Sequence, residues 1–140
     1  MANILEKSFP VEAGAYTTAG EASTTIKRTL KQLGVSAEVL RRVSVACYEV
    51  ELNLVIHSLG GTLTLLVDPE KVTLISKDVG PGIPDIDKAM QAGFSTAPDN
   101  VRNLGFGAGM GLPNMKKNSD TIDISTEIGV GTTVVMTINL

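Results

Sequence analysis

The sequence predicts an α+β fold: a two-layer sandwich in which a largely antiparallel mixed sheet is covered by helices on one face. Two hairpin patterns, one in the middle of the chain and one at its end, favour the antiparallel sheet. Two long amphipathic segments precede the first hairpin and supply the covering helices. At 140 residues we expect one domain that spans residues 1–140.

Composition is that of an ordinary globular chain, with 43% hydrophobic and 19% charged residues. The formal net charge of -3 argues against a large phosphate-tracking surface, so no nucleic-acid partner is expected. The first ten residues are too short and too charged for a secretory signal, and no apolar run reaches the roughly 18 residues that span a membrane. The single cysteine, Cys47, suits a reducing compartment and an apolar packing role. We therefore expect a cytoplasmic protein without a membrane partner.

The first elements are an edge strand over residues 7–13 and a helix within residues 16–34. Thr17 or Thr18 is the candidate cap at the start of this helix, and Gly34 suits the left-handed position after its last turn. Ser36 then precedes a second, longer helix. This helix carries apolar residues at three- and four-residue spacing, which predicts a core stripe: Leu40, Val43, Cys47, Val50 and Leu54.

From Thr62 the pattern changes to strands. "TLTLLVD" and "KVTLISKD" flank Pro69 and Glu70, which predicts an antiparallel hairpin. "DVGPGIPD" ends the second strand, residues 86–93 favour a short helix, and residues 94–109 form a polar, glycine-bearing loop. A helix over residues 112–118 and a closing hairpin, with Gly129 and Gly131 in its turn, complete the chain.

Glu49 and Asn53 are four residues apart in the second helix, so they are neighbours on its surface beside the core stripe. Such a carboxylate could take a proton from a hydroxyl, and the amide oxygen suits magnesium. A surface pair on an amphipathic helix is the other interpretation.

Asp78 stands at the end of a strand, directly before Gly80 and Gly82. Its carboxylate could accept a hydrogen bond from an amino group, while the glycines let a flat ring approach the backbone. The alternative is a strand-ending turn in which Asp78 binds its own loop amides.

The stretch "LGFGAGMGLPNM" places Gly107, Gly109 and Gly111 before a helix. It lacks the Lys and Ser/Thr of a P-loop and fails the dinucleotide G-x-G-x-x-G spacing. Bare backbone amides at a helix start could still hold an anion, helped by Lys116 or Lys117, and a flexible loop is the alternative.

Gly129, Gly131 and Thr132 alone would indicate a simple hairpin turn. Together with the preceding motifs, however, the ordered set Glu49-x-x-x-Asn53, Asp78-x-Gly80-x-Gly82, Gly107-x-Gly109-x-Gly111 and Gly129-x-Gly131-Thr132 resembles the four ATP-binding boxes of the GHKL superfamily, which includes gyrase, Hsp90, histidine kinases and MutL. The resemblance runs from about Ser36 to the end of the chain. The compact size and the run from Asp78 to Lys117 further resemble the bacterial anti-sigma-factor serine/threonine kinases of partner-switching systems.

The resemblance implies a Bergerat ATP-binding fold that uses ATP and Mg²⁺. It implies Glu49 as the base that activates a protein hydroxyl and Asn53 as a magnesium ligand. Asp78 would hold the adenine amino group, helped by Thr132 through water, and Gly80 and Gly82 belong to the same box. Gly107, Gly109 and Gly111 would surround the phosphates, with residues 94–106 as the ATP lid. The single histidine, His57, is expected to have a structural or nucleotide-adjacent role.

The resemblance also implies partners. The expected reaction transfers the γ-phosphoryl group to a STAS-domain antagonist or scaffold protein, and the expected physiological context is transcription regulation. One alternative is an ATP-dependent binding module that sequesters a sigma factor or activates a phosphatase without kinase activity. Another is an ATPase that acts without a protein acceptor and releases phosphate by itself. A homodimer is a further expectation, because anti-sigma members of the family commonly pair.

Overall fold

The computed structural model describes residues 5–14, 18–80 and 111–140. Within them the elements are β1 Leu5–Val11, α1 Glu21–Gln32, α2 Ala37–His57, β2 Gly61–Val67, β3 Lys71–Asp78, α3 Gly111–Asn118, β4 Thr121–Glu127 and β5 Gly131–Asn139. The helix predicted over residues 86–93 and the loop over residues 94–109 lie outside the described residues.

The strands form one sheet in the order β1-β2-β3-β5-β4, and each of its ladders is antiparallel. Alternate side chains of the three inner strands are buried beneath the helices, among them Leu65, Leu74 and Met136. On the opposite face Thr64, Ile75 and Val135 lie in register and are half-buried. The α+β fold with helices on one face is therefore confirmed, and both hairpins lie where the alternation predicts them.

Helix α2 is the central element of the helical layer. Its predicted stripe is buried at Val43, Cys47, Val50 and Leu54, and Leu40 packs at the margin of the core. Ser36 caps its start as predicted, because Ser36 Oγ accepts a hydrogen bond from Val39 N at 3.3 Å. Burial raises the pKa of the Cys47 thiol to about 12, so this residue is a protonated, apolar part of the core.

The start of α1 differs from the prediction. The helix begins at Glu21 after Gly20, whose φ of 99° is left-handed, so the proposed threonine cap is wrong. Thr18 meets the helix start through its backbone carbonyl, which accepts from Glu21 N at 3.1 Å, and Thr17 lies outside the described residues. Gly34, with a φ of 81°, occupies the predicted left-handed position after the helix.

The first amides of α1 are instead satisfied by a carboxylate from α2. Glu51 is only 3% exposed, and its Oε2 accepts from Gly20 N at 3.0 Å and Ala22 N at 3.3 Å. Its Oε1 accepts from Ser23 N at 2.9 Å and from the Ser23 hydroxyl. A buried carboxylate is costly unless it is fully hydrogen-bonded, and the positive end of a helix is a suitable partner. Glu51 therefore caps α1 and fastens it to α2.

Replacing Glu51 by alanine should destabilise the fold. The change leaves the buried amides at the start of α1 without an acceptor, so we expect a loss of about 2–4 kcal/mol in the free energy of unfolding. Urea unfolding followed by circular dichroism measures it. The matched control is Glu38→Ala at an exposed position of α2, the helix that carries Glu51. For this control we expect the free energy of unfolding to fall by less than about 1 kcal/mol. Equal losses in the two variants would contradict the capping role.

Candidate functional site

One half of the candidate site is the point where β3 and β5 separate. The last pair of their ladder is Lys77 with Thr133, and beyond it Thr132 N donates to Asp78 Oδ1 at 2.8 Å. The side chains of Asp78 and Thr132 lie on the sheet face that the helices cover, as the burial alternation of the two strands shows. The Asp78 carboxylate thus replaces the next ladder bond at the edge of the covered layer.

Asp78 is half-buried, and this burial raises the pKa of its carboxyl group above the usual value. The hydrogen bond from Thr132 N opposes the shift without cancelling it. A partly desolvated acceptor of this kind gains more from a ligand N–H donor than an exposed one, because less water competes for it.

The glycines beside Asp78 allow close packing of the backbone. A Cβ at Gly131 would lie 2.2 Å from the Asp78 carbonyl oxygen, closer than atoms can approach. Gly80 is buried, and its N–H donates to the Val130 carbonyl at 3.1 Å. These contacts connect the end of β3 to the turn before β5, and they bring together four residues of the predicted boxes: Asp78, Gly80, Gly131 and Thr132.

Thr132 is 8% exposed, and its hydroxyl is paired with that of Thr126 at 3.1 Å. The pair crosses from β5 to β4 at the register position Thr126 with Thr132. Because a hydroxyl has one donor and two acceptor positions, Thr132 can keep this bond and still bind a water molecule.

The other half of the site is on α2, where Glu49 and Asn53 are both half-buried. Glu51, which faces α1, is about 160° around the helix axis from each of them. Glu49 faces α3 instead, since its Oε1 accepts a hydrogen bond from Asn114 Nδ2 at 3.3 Å. The two carboxylates of α2 therefore serve opposite sides of the helix.

Neither Asn114 nor Glu51 is among the residues that the sequence motifs single out. Both bonds join residues far apart in the chain, 65 positions for Asn114 with Glu49 and 28 for Ser23 with Glu51. One signal for Glu51 is available in the sequence: a helix that starts after a glycine needs an acceptor for its first amides from elsewhere. For Asn114 we find no comparable signal.

Helix α3 begins at Gly111, the last of the predicted phosphate-binding glycines. Lys116 and Lys117 lie in its last turn and are exposed. Gly82, Gly107, Gly109 and the predicted lid lie outside the described residues. Helix α3, which follows the predicted phosphate-binding glycines in the chain, thus lies directly beside Glu49.

A metal at this site would depend on few protein ligands. Within residues 5–14, 18–80 and 111–140 no three His, Cys, Asp or Glu side chains converge as a metal cluster. The amide oxygen of Asn53 is a hard ligand, and Mg²⁺ typically keeps several waters and binds phosphate oxygens. The donor set fits Mg²⁺ bound with a nucleotide and does not fit a structural zinc ion.

A separate groove of about 650 Å³ lies along α1. Its lining includes Lys27, Arg28, Ser44 and Tyr48, and none of the predicted nucleotide-binding residues. Because α2 directs Ser44 and Tyr48 to one side and Glu49 to another, this groove is distinct from the candidate site.

In the described part of the chain no helix is long and apolar enough to cross a membrane.

Comparison with known families agrees with this geometry. The family model of the histidine kinase-, DNA gyrase B- and HSP90-like ATPases matches residues 38–140, which include α2, α3 and strands β2 to β5. The chain belongs to this ATPase family. The fold and the motifs therefore define a domain that uses ATP.

The chain is also similar to individual proteins over most of its length. The chain is 31% identical to the serine/threonine-protein kinase RsbT of Bacillus subtilis over 112 residues, which is 77% of this chain and 78% of the relative. It is 29% identical to the anti-sigma F factor of Geobacillus stearothermophilus, over 81% of this chain and 78% of the relative. It is 30% identical to the anti-sigma F factor of Clostridium acetobutylicum, over 82% of this chain and 80% of the relative.

Asp78→Asn tests the role of the carboxylate in nucleotide recognition. Asparagine can still accept from Thr132 N, but an NH₂ group then replaces the second oxygen and cannot accept from an amino group. We expect ATP affinity to fall about 10- to 100-fold in isothermal titration calorimetry, as for loss of a hydrogen bond to a charged group. Unchanged affinity would remove Asp78 from the nucleotide site.

The same variant should also change how stability depends on pH. Because the folded-state pKa of Asp78 is raised, its ionised form costs stability above that pKa, and the cost disappears as the pH falls through it. We therefore expect Asp78→Asn to be at least as stable as the wild type at pH 7, with an advantage that shrinks in acid. Urea unfolding at several pH values measures this, and an advantage that grows in acid would contradict it.

Two glycines of the last turn provide a matched pair. Gly131→Ala brings a Cβ against the Asp78 carbonyl, whereas Gly129→Ala, at a φ of 81°, meets no atom within 4 Å. We expect about 1 kcal/mol of backbone strain for Gly129→Ala and a loss of at least about 2 kcal/mol for Gly131→Ala. Displacement of Asp78 should also weaken ATP binding in Gly131→Ala alone. Equal behaviour of the two variants in urea unfolding and calorimetry would contradict the close approach.

Proposed function

We propose that this chain is a serine/threonine protein kinase of a bacterial partner-switching system, in which residues 1–140 form one ATP-binding kinase domain. The observation that carries the proposal is Glu49, a half-buried carboxylate on α2 one turn before Asn53 and hydrogen-bonded to α3. Nucleotide binding alone needs no base at this position. The similarity to a serine/threonine kinase and to anti-sigma factors supports the same assignment.

Each predicted site residue has a part in the proposal. Asp78 accepts from the adenine amino group, Gly80 and Gly82 admit the ring, and Thr132 assists through water. The phosphates are bound by the glycine backbone at Gly107, Gly109 and Gly111. Asn53 is the protein ligand for Mg²⁺, which supplies charge neutralisation at the phosphates when it is bound.

Phosphoryl transfer in this site depends mainly on positioning and charge. A serine or threonine hydroxyl oxygen of the partner forms the new bond to the γ-phosphorus, and the bond from that phosphorus to the oxygen of ADP breaks. ADP leaves with the bond's electron pair, and the hydroxyl proton moves to the Glu49 carboxylate. The products are a phosphorylated partner, ADP and one proton.

The proposed acceptor is a STAS-domain anti-anti-sigma or scaffold protein in the cytoplasm. The anti-sigma names of two relatives favour a second output, sequestration of a sigma factor by the same domain. A phosphatase as a regulated partner and a homodimer are secondary parts of the proposal. Neither a nucleic acid nor a membrane has a part in it.

Glu49→Gln separates catalysis from binding. Glutamine can still accept from Asn114 but is not a base, so we expect transfer to a purified STAS-domain protein of the same organism to fall about 100- to 10,000-fold. Transfer is measured with γ-labelled ATP, and ATP affinity, measured by calorimetry, should stay within about threefold of the wild type. Normal phosphorylation by Glu49→Gln would disprove the base assignment. A wild type that binds ATP and transfers nothing would favour the binding module.

A further inference from the structure

We propose that Asn114 is a positioning residue for Glu49, an inference that rests on the proposed kinase function. Its side-chain amide donates from Nδ2 to Glu49 Oε1 at 3.3 Å, from the first turn of α3 to the middle of α2. The bond fixes one carboxylate oxygen and directs the other, Oε2, to the hydroxyl whose proton is removed.

Asn114 can do this because its own position is firmly held. Its neighbours on α3, Leu112 and Met115, are 8% and 0% exposed and belong to the hydrophobic core. One turn later Asn118 Nδ2 donates to the Asn114 carbonyl at 2.9 Å. A group on a rigid, buried element orients a catalytic side chain more precisely than a group on a loop.

The conformational freedom of the Glu49 side chain determines what this hydrogen bond contributes. An unrestrained Glu samples several rotamers about three torsions, and few of them place an oxygen correctly for proton transfer. The hydrogen bond from Asn114 Nδ2 favours the rotamers of Glu49 that keep it. Asn114 thus orders Glu49 before the partner arrives, and this pre-organisation lowers the barrier of the transfer step.

The location of Asn114 adds a second consequence. It is three residues after Gly111, the glycine that opens α3. A helix is rigid over one turn, so the donor to Glu49 and the backbone proposed to meet the phosphates move as one unit. The base is therefore aligned with respect to the phosphate end of the nucleotide, which is the geometry that in-line transfer requires.

The test compares single-turnover phosphoryl transfer from γ-labelled ATP to the purified STAS-domain protein of the same organism that the wild-type chain phosphorylates. Asn114→Ala should lower the transfer rate constant about 10- to 100-fold, because a misplaced base is a poor one, with ATP affinity unchanged. Asn114→Asp keeps the size of the side chain and replaces the donor by a charged acceptor, so its rate should fall at least as far. If the rate constant stays at the wild-type value in both variants, the proposal is overturned.

Two further variants exclude a purely structural effect. Ser119→Ala removes the hydrogen bond from Ser119 Oγ to the Met115 carbonyl at the end of α3 without touching Glu49 or Asn114, and its transfer rate should stay within about threefold of the wild type. In the Glu49→Gln background, Asn114→Ala should cause no further loss, because the residue acts through Glu49. An equal loss in Ser119→Ala, or an undiminished loss in the Glu49→Gln background, would overturn the positioning role.

The controls also separate this inference from the proposed function. If the wild type transfers no phosphate to the partner, the kinase assignment fails together with the inference. If the wild type transfers phosphate, Glu49→Gln does not and Asn114→Ala does so at the normal rate, the kinase assignment stands and the positioning role alone is wrong.

Discussion

Burial of α2 between the sheet and its neighbouring helices fixes the positions of the elements packed around it. Its apolar stripe packs on the sheet through Val43, Val50 and Leu54, which are at most 1% exposed. Two polar contacts extend from its other sides, Glu51 to the start of α1 and Glu49 to Asn114 of α3. A helix fixed on three sides cannot rotate, so the side chains that it presents to a ligand have defined positions.

The sheet supplies the other half of the site. The ladder between β3 and β5 ends in a hydrogen bond to a side chain instead of a backbone bond. Thr132 N donates to the Asp78 carboxylate where the next backbone bond would be, and Gly131 makes room for the Asp78 carbonyl. The polar groups of the site are consequently supported by the two structures that are most expensive to disturb, a buried helix and an inner pair of strands. Its polar groups, a partly desolvated carboxylate on the sheet and a carboxylate with a neighbouring amide on α2, suit a nucleotide of the ATPase family.

Much of this architecture was predictable from local pattern. The alternation in "TLTLLVD" and "KVTLISKD" places both strands within about one residue of their observed bounds, since a one-residue slip would expose their apolar side chains. The start of α1 was not predictable from its own sequence, because its cap is Glu51, 28 positions from Ser23. Asn114 was missed for the same reason: periodicity reports which side of a helix a residue occupies and not which distant residue it meets.

A protein kinase must leave a phosphate on a hydroxyl of its partner. Mass spectrometry detects this phosphate on a STAS-domain protein of the same organism after incubation with the wild-type chain, ATP and Mg²⁺. We expect one phosphoserine or phosphothreonine on that protein, formed together with an equal amount of ADP. An unmodified partner in a mixture where calorimetry shows that ATP is bound would contradict the kinase assignment.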